Sequence, residues 1–353
     1  MSMTPRQRWQ AVLSGRNPDR IPSDYWATDE VTARLLRELG CATERELYLR
    51  LGIDKCVRLA PVHRGTGENS WHIQSQYKAW HIGTKVISYG EGLGSYEETI
   101  EYPLAGVRSV GEIDKFDWPD PDDWDISGMG QECREWADFP IIAGCYEPFY
   151  LYCRLRGMEQ ALEDLVADSR IAEAILEHIH RIHESLIRRI LESVGKSIDL
   201  VYVAEDLGTQ ESLLMSPGVF RRLLKPRLAR MIDVVHSFGV KVFHHDDGAI
   251  RPLIPDLIEI GIDILNPIQW RCRGMEREGL ARDFGRSLVF HGGVDNQHTL
   301  PFGTADEVRR EVAANISAFR KCVGYIVAPC HNIQANTPTE NILALYQAAR
   351  DPG

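Results

Sequence analysis

Leu200-Val201-Tyr202-Val203-Ala204-Glu205-Asp206 and Val240-Lys241-Val242-Phe243-His244-His245-Asp246-Asp247-Gly248 share one pattern. A short β-branched or aromatic run ends abruptly in carboxylates and imidazoles. An apolar run of about four residues reads as a strand buried on both faces. Comparable runs occur at Ile141-Ile142-Ala143, Ile262-Asp263-Ile264-Leu265, Leu288-Val289-Phe290 and Tyr325-Ile326-Val327-Ala328. Roughly 22 to 60 residues separate neighbouring midpoints, room each time for the crossover helix that parallel strands require.

Helices are legible between the runs. Ala172, Ile175, Leu176, Ile179, Ile182, Leu186, Ile187, Ile190 and Leu191 form an i, i+3, i+4 stripe. Thr304 with Glu307, and Thr337 with Glu340, have capping-box spacing, Pro338 falls at a first helical position, and Ser216-Pro217 opens another helix. Six successive β/α units predict a doubly wound sheet or a (β/α)8 TIM barrel. Residues 126–353 carry these units. Residues 1–125 read as an N-terminal elaboration of the same domain, with a helix around Trp9–Leu13 and short antiparallel strands between Trp71 and Tyr102.

Composition sets the class. The chain has 353 residues, 44% apolar and 26% charged, the balance of a folded protein. Lys+Arg 40 against Asp+Glu 51 leaves −11, which argues against nucleic-acid or anionic-membrane binding. No apolar stretch reaches the roughly 18 residues of a membrane span, and no apolar run follows the basic start. The eight cysteines are scattered without a C-x-x-C pair, as expected for reduced thiols in the cytoplasm.

Polar side chains gather where the strands should end. Cys145, Tyr146 and Glu147 follow the first run, and Glu205, Asp206 and Gln210 the second. His244 to Asp247, then Asn266 and Gln269, then His291 and Asp295, then Cys330 and His331 follow the others. A TIM barrel builds its active site on that face. Each group also has a structural reading. Glu205 and Asp206 could cap a helix, His291 could be a satisfied core histidine, and Cys330 could be a packed thiol. Of His244 to Asp247, alternation lets two point into the mouth. His178, His180 and His183 lie on a helix and read as exterior. The chemical reading is a metal, since His245-x-Asp247 with His331 or Cys330 supplies three zinc-type ligands and leaves a fourth position open. Glu205, Asp206 and His244 are then candidate acid–base groups. Tyr146, Glu147, Asn266, Gln269, His291 and Asp295 are candidate substrate contacts.

Several of these segments resemble the uroporphyrinogen decarboxylase superfamily. They are Asn17-Pro18-Asp19-Arg20-Ile21-Pro22, Ala204 to Gln210, His245 to Gly248, Leu265-Asn266-Pro267-Ile268-Gln269, Gly292 to Gln297, and His331-Asn332-Ile333-Gln334 with Thr337 to Asn341. The resemblance spans the chain and implies a (β/α)8 barrel with a cleft at the strand C-termini. True decarboxylases of the family hold a polycarboxylate tetrapyrrole with an N-terminal Arg-Gln-Ala-Gly-Arg stretch. Here Arg6-Gln7-Arg8 lacks the continuation. The corrinoid-dependent methyltransferase branch binds zinc through a His-x-Cys pair and a later Cys. This chain matches at His245 but has Asp247 and His331 at the cysteine positions, with Cys330 one residue off register. Replacing thiolates by harder ligands suits polarisation of an ether or hydroxyl oxygen. The resemblance therefore implies a methyltransferase acting on a methylated small molecule such as an O-methyl ether, with a corrinoid on a partner protein and a homodimer among the possible assemblies. The alternatives are a uroporphyrinogen-type decarboxylase and a non-catalytic small-molecule-binding barrel.

Overall fold

The computed structural model describes residues 2–67, 77–90, 94–167 and 169–351. Seven strands form one parallel sheet: β1 (Val57–Leu59), β2 (Ile141–Tyr146), β3 (Leu200–Val203), β4 (Lys241–His245), β5 (Ile264–Asn266), β6 (Val289–Val294) and β7 (Gly324–Pro329). They neighbour one another in chain order, which is the arrangement of an α/β TIM-barrel-like fold. Beside β7 runs the extended segment Pro22–Asp24. Asp24 N–H donates to the Val327 carbonyl (2.8 Å), Val327 N–H donates to the Pro22 carbonyl (3.0 Å), and Asp54 N–H, just ahead of β1, donates to the Ser23 carbonyl (2.8 Å). This segment thus links the last strand to the start of the first. Each of the six apolar runs overlaps a strand, with Val240, Ile262, Asp263 and Leu288 lying just ahead of theirs. β1 went unread in the sequence because it is three residues long and carries Arg58 at its centre.

Strand alternation divides the apolar residues into two cores. Ile142, Cys145, Leu200, Tyr202, Phe243, Ile264, Val289 and Ile326 point inward, where Trp9 and Val12 of the helix Pro5–Leu13 and Trp26 join them. Val201, Val203, Val242, Leu265, Phe290 and Val327 point outward into the larger core under the helices. At the strand N-terminal pole, Arg8 reaches Asp19 (2.6 Å) and Asp54 (2.9 Å), and Arg6 reaches Asp199 (3.0 Å), the residue that precedes β3.

The long stripe becomes the helix Ser169–Val194. Two of its histidines correct the sequence reading. His180 and His183 are buried, because they follow Leu176 and Ile179 by four residues and so fall on the apolar face. His180 Nδ1–H donates to the Leu176 carbonyl (2.7 Å), and the His183 ring lies 5.0 Å from Tyr146 and 5.8 Å from Trp80. His178 alone stays partly exposed, stacked on Trp118 at 4.5 Å. The caps at Thr304 and Ser216 form as read. At the last helix the reading shifts by one residue: the helix is Thr339–Arg350 with Pro338 as N-cap, and the Thr337 hydroxyl makes no hydrogen bond. In the N-terminal portion, Gly83–Gly90 pairs antiparallel with Gly94–Glu101. Trp71, where the alternating region was expected to begin, is outside the described residues.

Burial holds His180 and His183 down at about 3. The unfolded chain takes up their protons below about pH 6.5, while the folded chain does so only near 3. Each ring therefore costs stability as pH falls through that interval, about 2 kcal/mol at pH 5. In urea unfolding, His183→Phe should lose less stability between pH 7.5 and pH 5 than the wild type, by about that amount. Equal losses would show that the ring is solvated.

Candidate metal centre

The same alternation that builds the two cores sorts the polar strand ends. On β4, Phe243, His245 and Asp247 share the inward face, and Val242, His244 and Asp246 the outward one. After β3, Ala204 and Asp206 face inward and Glu205 outward. Asp206, His245 and Asp247 consequently converge, with one ligand-type atom from each lying within 4.8 Å of the others. His245 Nε2 is 3.7 Å from Asp206 Oδ1 and 3.9 Å from Asp247 Oδ1.

A hydrogen-bonded chain orients His245. Its Nδ1 contacts Asn266 Oδ1 at 2.6 Å, Asn266 Nδ2 contacts His291 Nδ1 at 2.7 Å, and His291 Nε2 contacts Asp24 Oδ2 at 3.1 Å. The proton order follows from the donor inventory. Burial pushes Asp24 up, but Lys55 and His291 outweigh it and hold the carboxylate well below its usual range. Asp24 therefore only accepts, so His291 Nε2 carries hydrogen. Burial, against the pull of Asp24, lowers His291 and keeps it neutral, so its Nδ1 accepts from the Asn266 amide. Asn266 Oδ1 must then accept from His245 Nδ1–H, which turns His245 Nε2 toward the two carboxylates. The ring also packs against Trp26 (5.7 Å between centroids) and Tyr202 (5.9 Å), each inclined at only about 25° to it.

The carboxylates have unmet demands. Asp206 Oδ1 and Asp247 Oδ1 are sealed from solvent without a hydrogen-bond partner. Burial lifts Asp206 to about 7, with Glu147, Asp247 and Asp246 adding to the shift and His245 opposing it. Burial alone would lower His245, yet Asp247 and Asp206 raise it. Two orphaned oxygens facing one imidazole nitrogen fit a divalent cation, which would satisfy all three atoms at once. Backbone packing sets their spacing. The loops bearing Gly208 and Gly248 press together so closely that a Cβ on Gly208 would lie 2.4 Å from the Asp247 carbonyl, and one on Gly248 would lie 2.5 Å from the Gly208 carbonyl carbon.

The other predicted residues distribute by face. His331 lines the cavity, its ring 6.3 Å from that of His245. Glu147 sits beneath, accepting from the Tyr202 hydroxyl (3.4 Å), and burial raises its carboxyl. Gln269 lines the cavity and accepts from Gly248 N–H at 2.7 Å. Asn266 and His291 belong to the chain behind His245. Five residues point elsewhere. Glu205 caps the helix Pro148–Arg156 through Phe149 N–H (2.7 Å), and Tyr146 packs on His183 in the outer core. His244 Nδ1–H donates to the Val203 carbonyl (2.8 Å). Asp295 binds Arg271 (2.6 Å) and the Thr299 amide. The Cys330 thiol donates to the Ile268 carbonyl (3.2 Å), and burial keeps it protonated. Asp24 and Trp26 were missed because nothing around them in the sequence marks the extended segment as part of the sheet.

Above the cluster opens a cavity of about 630 Å³, lined by Asp206, Asp247 and His331 at its foot. Phe149, Tyr150, Met158 and Leu214 are the large apolar residues that line it. Gln210, Gln269, Asn296 and Gln297 add carboxamides to the lining.

Comparison with known proteins agrees with this architecture. The family model for uroporphyrinogen decarboxylase (URO-D) matches residues 106–352. A uroporphyrinogen decarboxylase from Anaeromyxobacter sp. (strain Fw109-5) is 25% identical over 194 residues, 55% of this chain and 51% of the relative. One from Thermus thermophilus is 26% identical over 171 residues, 46% of this chain and 45% of the relative. The chain thus spans about half the length of the curated relatives it matches. A solved structure, a methyltransferase from Methanosarcina mazei, superposes with a TM-score of 0.68 at 19% identity, covering 99% of both chains, and so shares the fold. With the family model matching most of its length, this chain belongs to the uroporphyrinogen decarboxylase family.

Proposed function

We propose that this protein is a metal-assisted methyltransferase, moving a methyl group between a small molecule of the methyl-ether kind and a corrinoid carried by a separate protein. The observation that carries the reading is the Asp206–His245–Asp247 cluster with its two orphaned oxygens at the foot of a cavity. His245 Nε2 and one oxygen from each aspartate would hold a divalent ion such as zinc, with His331 beside them. The ion would supply Lewis acidity toward an ether or hydroxyl oxygen. Asn266, His291 and Asp24 keep the nitrogen of His245 aimed, a role that outer partners commonly play at metal sites. Phe149, Tyr150 and Leu214 of the lining would limit water around a bound reacting group, and Glu147 lies near the cluster as an acid–base candidate.

Decarboxylation of a polycarboxylate draws less support. It needs cations at the mouth, and Arg6 and Arg8 pair with Asp199, Asp19 and Asp54 at the opposite pole. Arg271 is held by Asp295, and Arg154 by Tyr150 and Thr99.

Protein purified without added metal should contain close to one equivalent of a divalent ion by elemental analysis, and His245→Ala should abolish it. Asn266→Ala should weaken metal affinity about 10- to 100-fold with the folded circular-dichroism spectrum retained. Stoichiometric metal in His245→Ala would refute the ligand assignment. Anaerobic incubation with cob(I)alamin and a methoxyarene should break the methyl C–O bond to yield methylcob(III)alamin and, after protonation of the leaving oxygen, the matching phenol, and Asp247→Asn should slow this at least about 100-fold, a barrier change of about 2.7 kcal/mol. Coproporphyrinogen formed from uroporphyrinogen, with no methyl transfer, would favour the decarboxylase.

A further inference from the structure

We propose that the cavity above Asp206, His245 and Asp247 selects an uncharged ligand with an apolar body and hydrogen-bonding groups, and rejects anions of the same shape. This rests on reading the cavity as a small-molecule site, and it is independent of whether methyl transfer follows.

No lysine or arginine is among the described residues that line the cavity. Residues 68–76 and 91–93, which fall outside the described set, contain neither in sequence. The cations nearby are engaged. Arg271 Nε is 2.6 Å from Asp295, Arg154 bonds the Thr99 hydroxyl at 3.0 Å, and the Arg58 guanidinium lies 4.0 Å from the centre of the Trp26 ring. What the cavity does present is two carboxylates at its foot, with Glu147 close enough to perturb Asp206. The two aspartates would offset the charge of a divalent ion bound there, and the charge of Arg58, behind the lining, acts on Glu147 and His331. An anionic ligand thus meets the repulsion of the aspartates without the ion, and with it finds no lysine or arginine among the described lining residues to hold its charge away from the ion.

The walls specify the rest. Phe149, Tyr150, Met158 and Leu214 are the large apolar residues of the lining, which suits a ligand with an apolar body. Gln210, Gln269, Asn296 and Gln297 carry amides that both donate and accept, so they satisfy hydroxyl, ether or carbonyl groups without requiring charge. Ligand sites of this size are typically apolar with a few convergent polar groups, and among the described lining residues those beyond the cluster and His331 are neutral.

The test uses two probes matched in size, 3-methoxybenzyl alcohol and 3-methoxybenzoate, titrated calorimetrically into the purified full chain at pH 8, where the acid is ionised. The alcohol should bind at least about tenfold more tightly. Gln297→Arg, which adds a cation to the lining, should narrow that ratio at least about threefold. Equal or tighter binding of the benzoate overturns the proposal, as does failure of the alcohol to bind at about 10 mM. Alcohol binding without methyl transfer would sink the methyltransferase reading and leave this one standing. A benzoate preference accompanied by methyl transfer would do the reverse.

Discussion

The buried carboxylate of Asp24 governs the site from three residues away. It accepts from His291 Nε2–H and from Trp26 Nε1–H (2.9 Å), and also from the amides of Tyr25 and Cys56. Those donors leave it no need of a proton of its own. Every later choice in the chain follows: the tautomer of His291, the rotamer of Asn266, and finally the nitrogen that His245 turns toward Asp206 and Asp247. Asp24 comes from the extended segment that pairs with β7, so placing that segment against the sheet and aiming the imidazole are one event.

Much of this was legible in the sequence, and the illegible parts share a physical cause. The runs at Leu200–Val203 and Val240–Phe243 identified strands because burial on both faces demands continuous apolar side chains. Their polar tails located the mouth, including His245, Asp247 and Asp206. The period of two then decides which residue of each adjacent pair enters it, and a short run does not say where that alternation starts. Glu205 and Asp206 illustrate the point. One caps a neighbouring helix, the other meets His245, and only the register of β3 against β4 distinguishes them. His180 and His183 had a readable spacing, but their polarity obscured an apolar-face position. Asp24 and β1 were beyond reach because partners supply their context from distant parts of the chain.

The packing around the cluster also sets which donor atoms it offers. Cys330 lies next to His331, yet its thiol is turned to the Ile268 carbonyl and kept neutral by burial, so the ligand-type atoms at the cluster are oxygen and nitrogen. Such donors favour a harder ion and oxygen chemistry over activation of a thiol. The Gly208–Gly248 contact matters here as well. The two aspartates share one imidazole, with no lysine or arginine among the described lining residues, and tightly packed backbone keeps both oxygens near that nitrogen at a cost that a bound cation would offset.

The most direct measurement is an anomalous difference map from crystals grown with zinc and recorded on both sides of its absorption edge. The account predicts a single strong peak at about 2 Å from His245 Nε2 and from one oxygen each of Asp206 and Asp247. A map without a peak there, or one whose peak sits instead on Cys330 or Asp295, would contradict it.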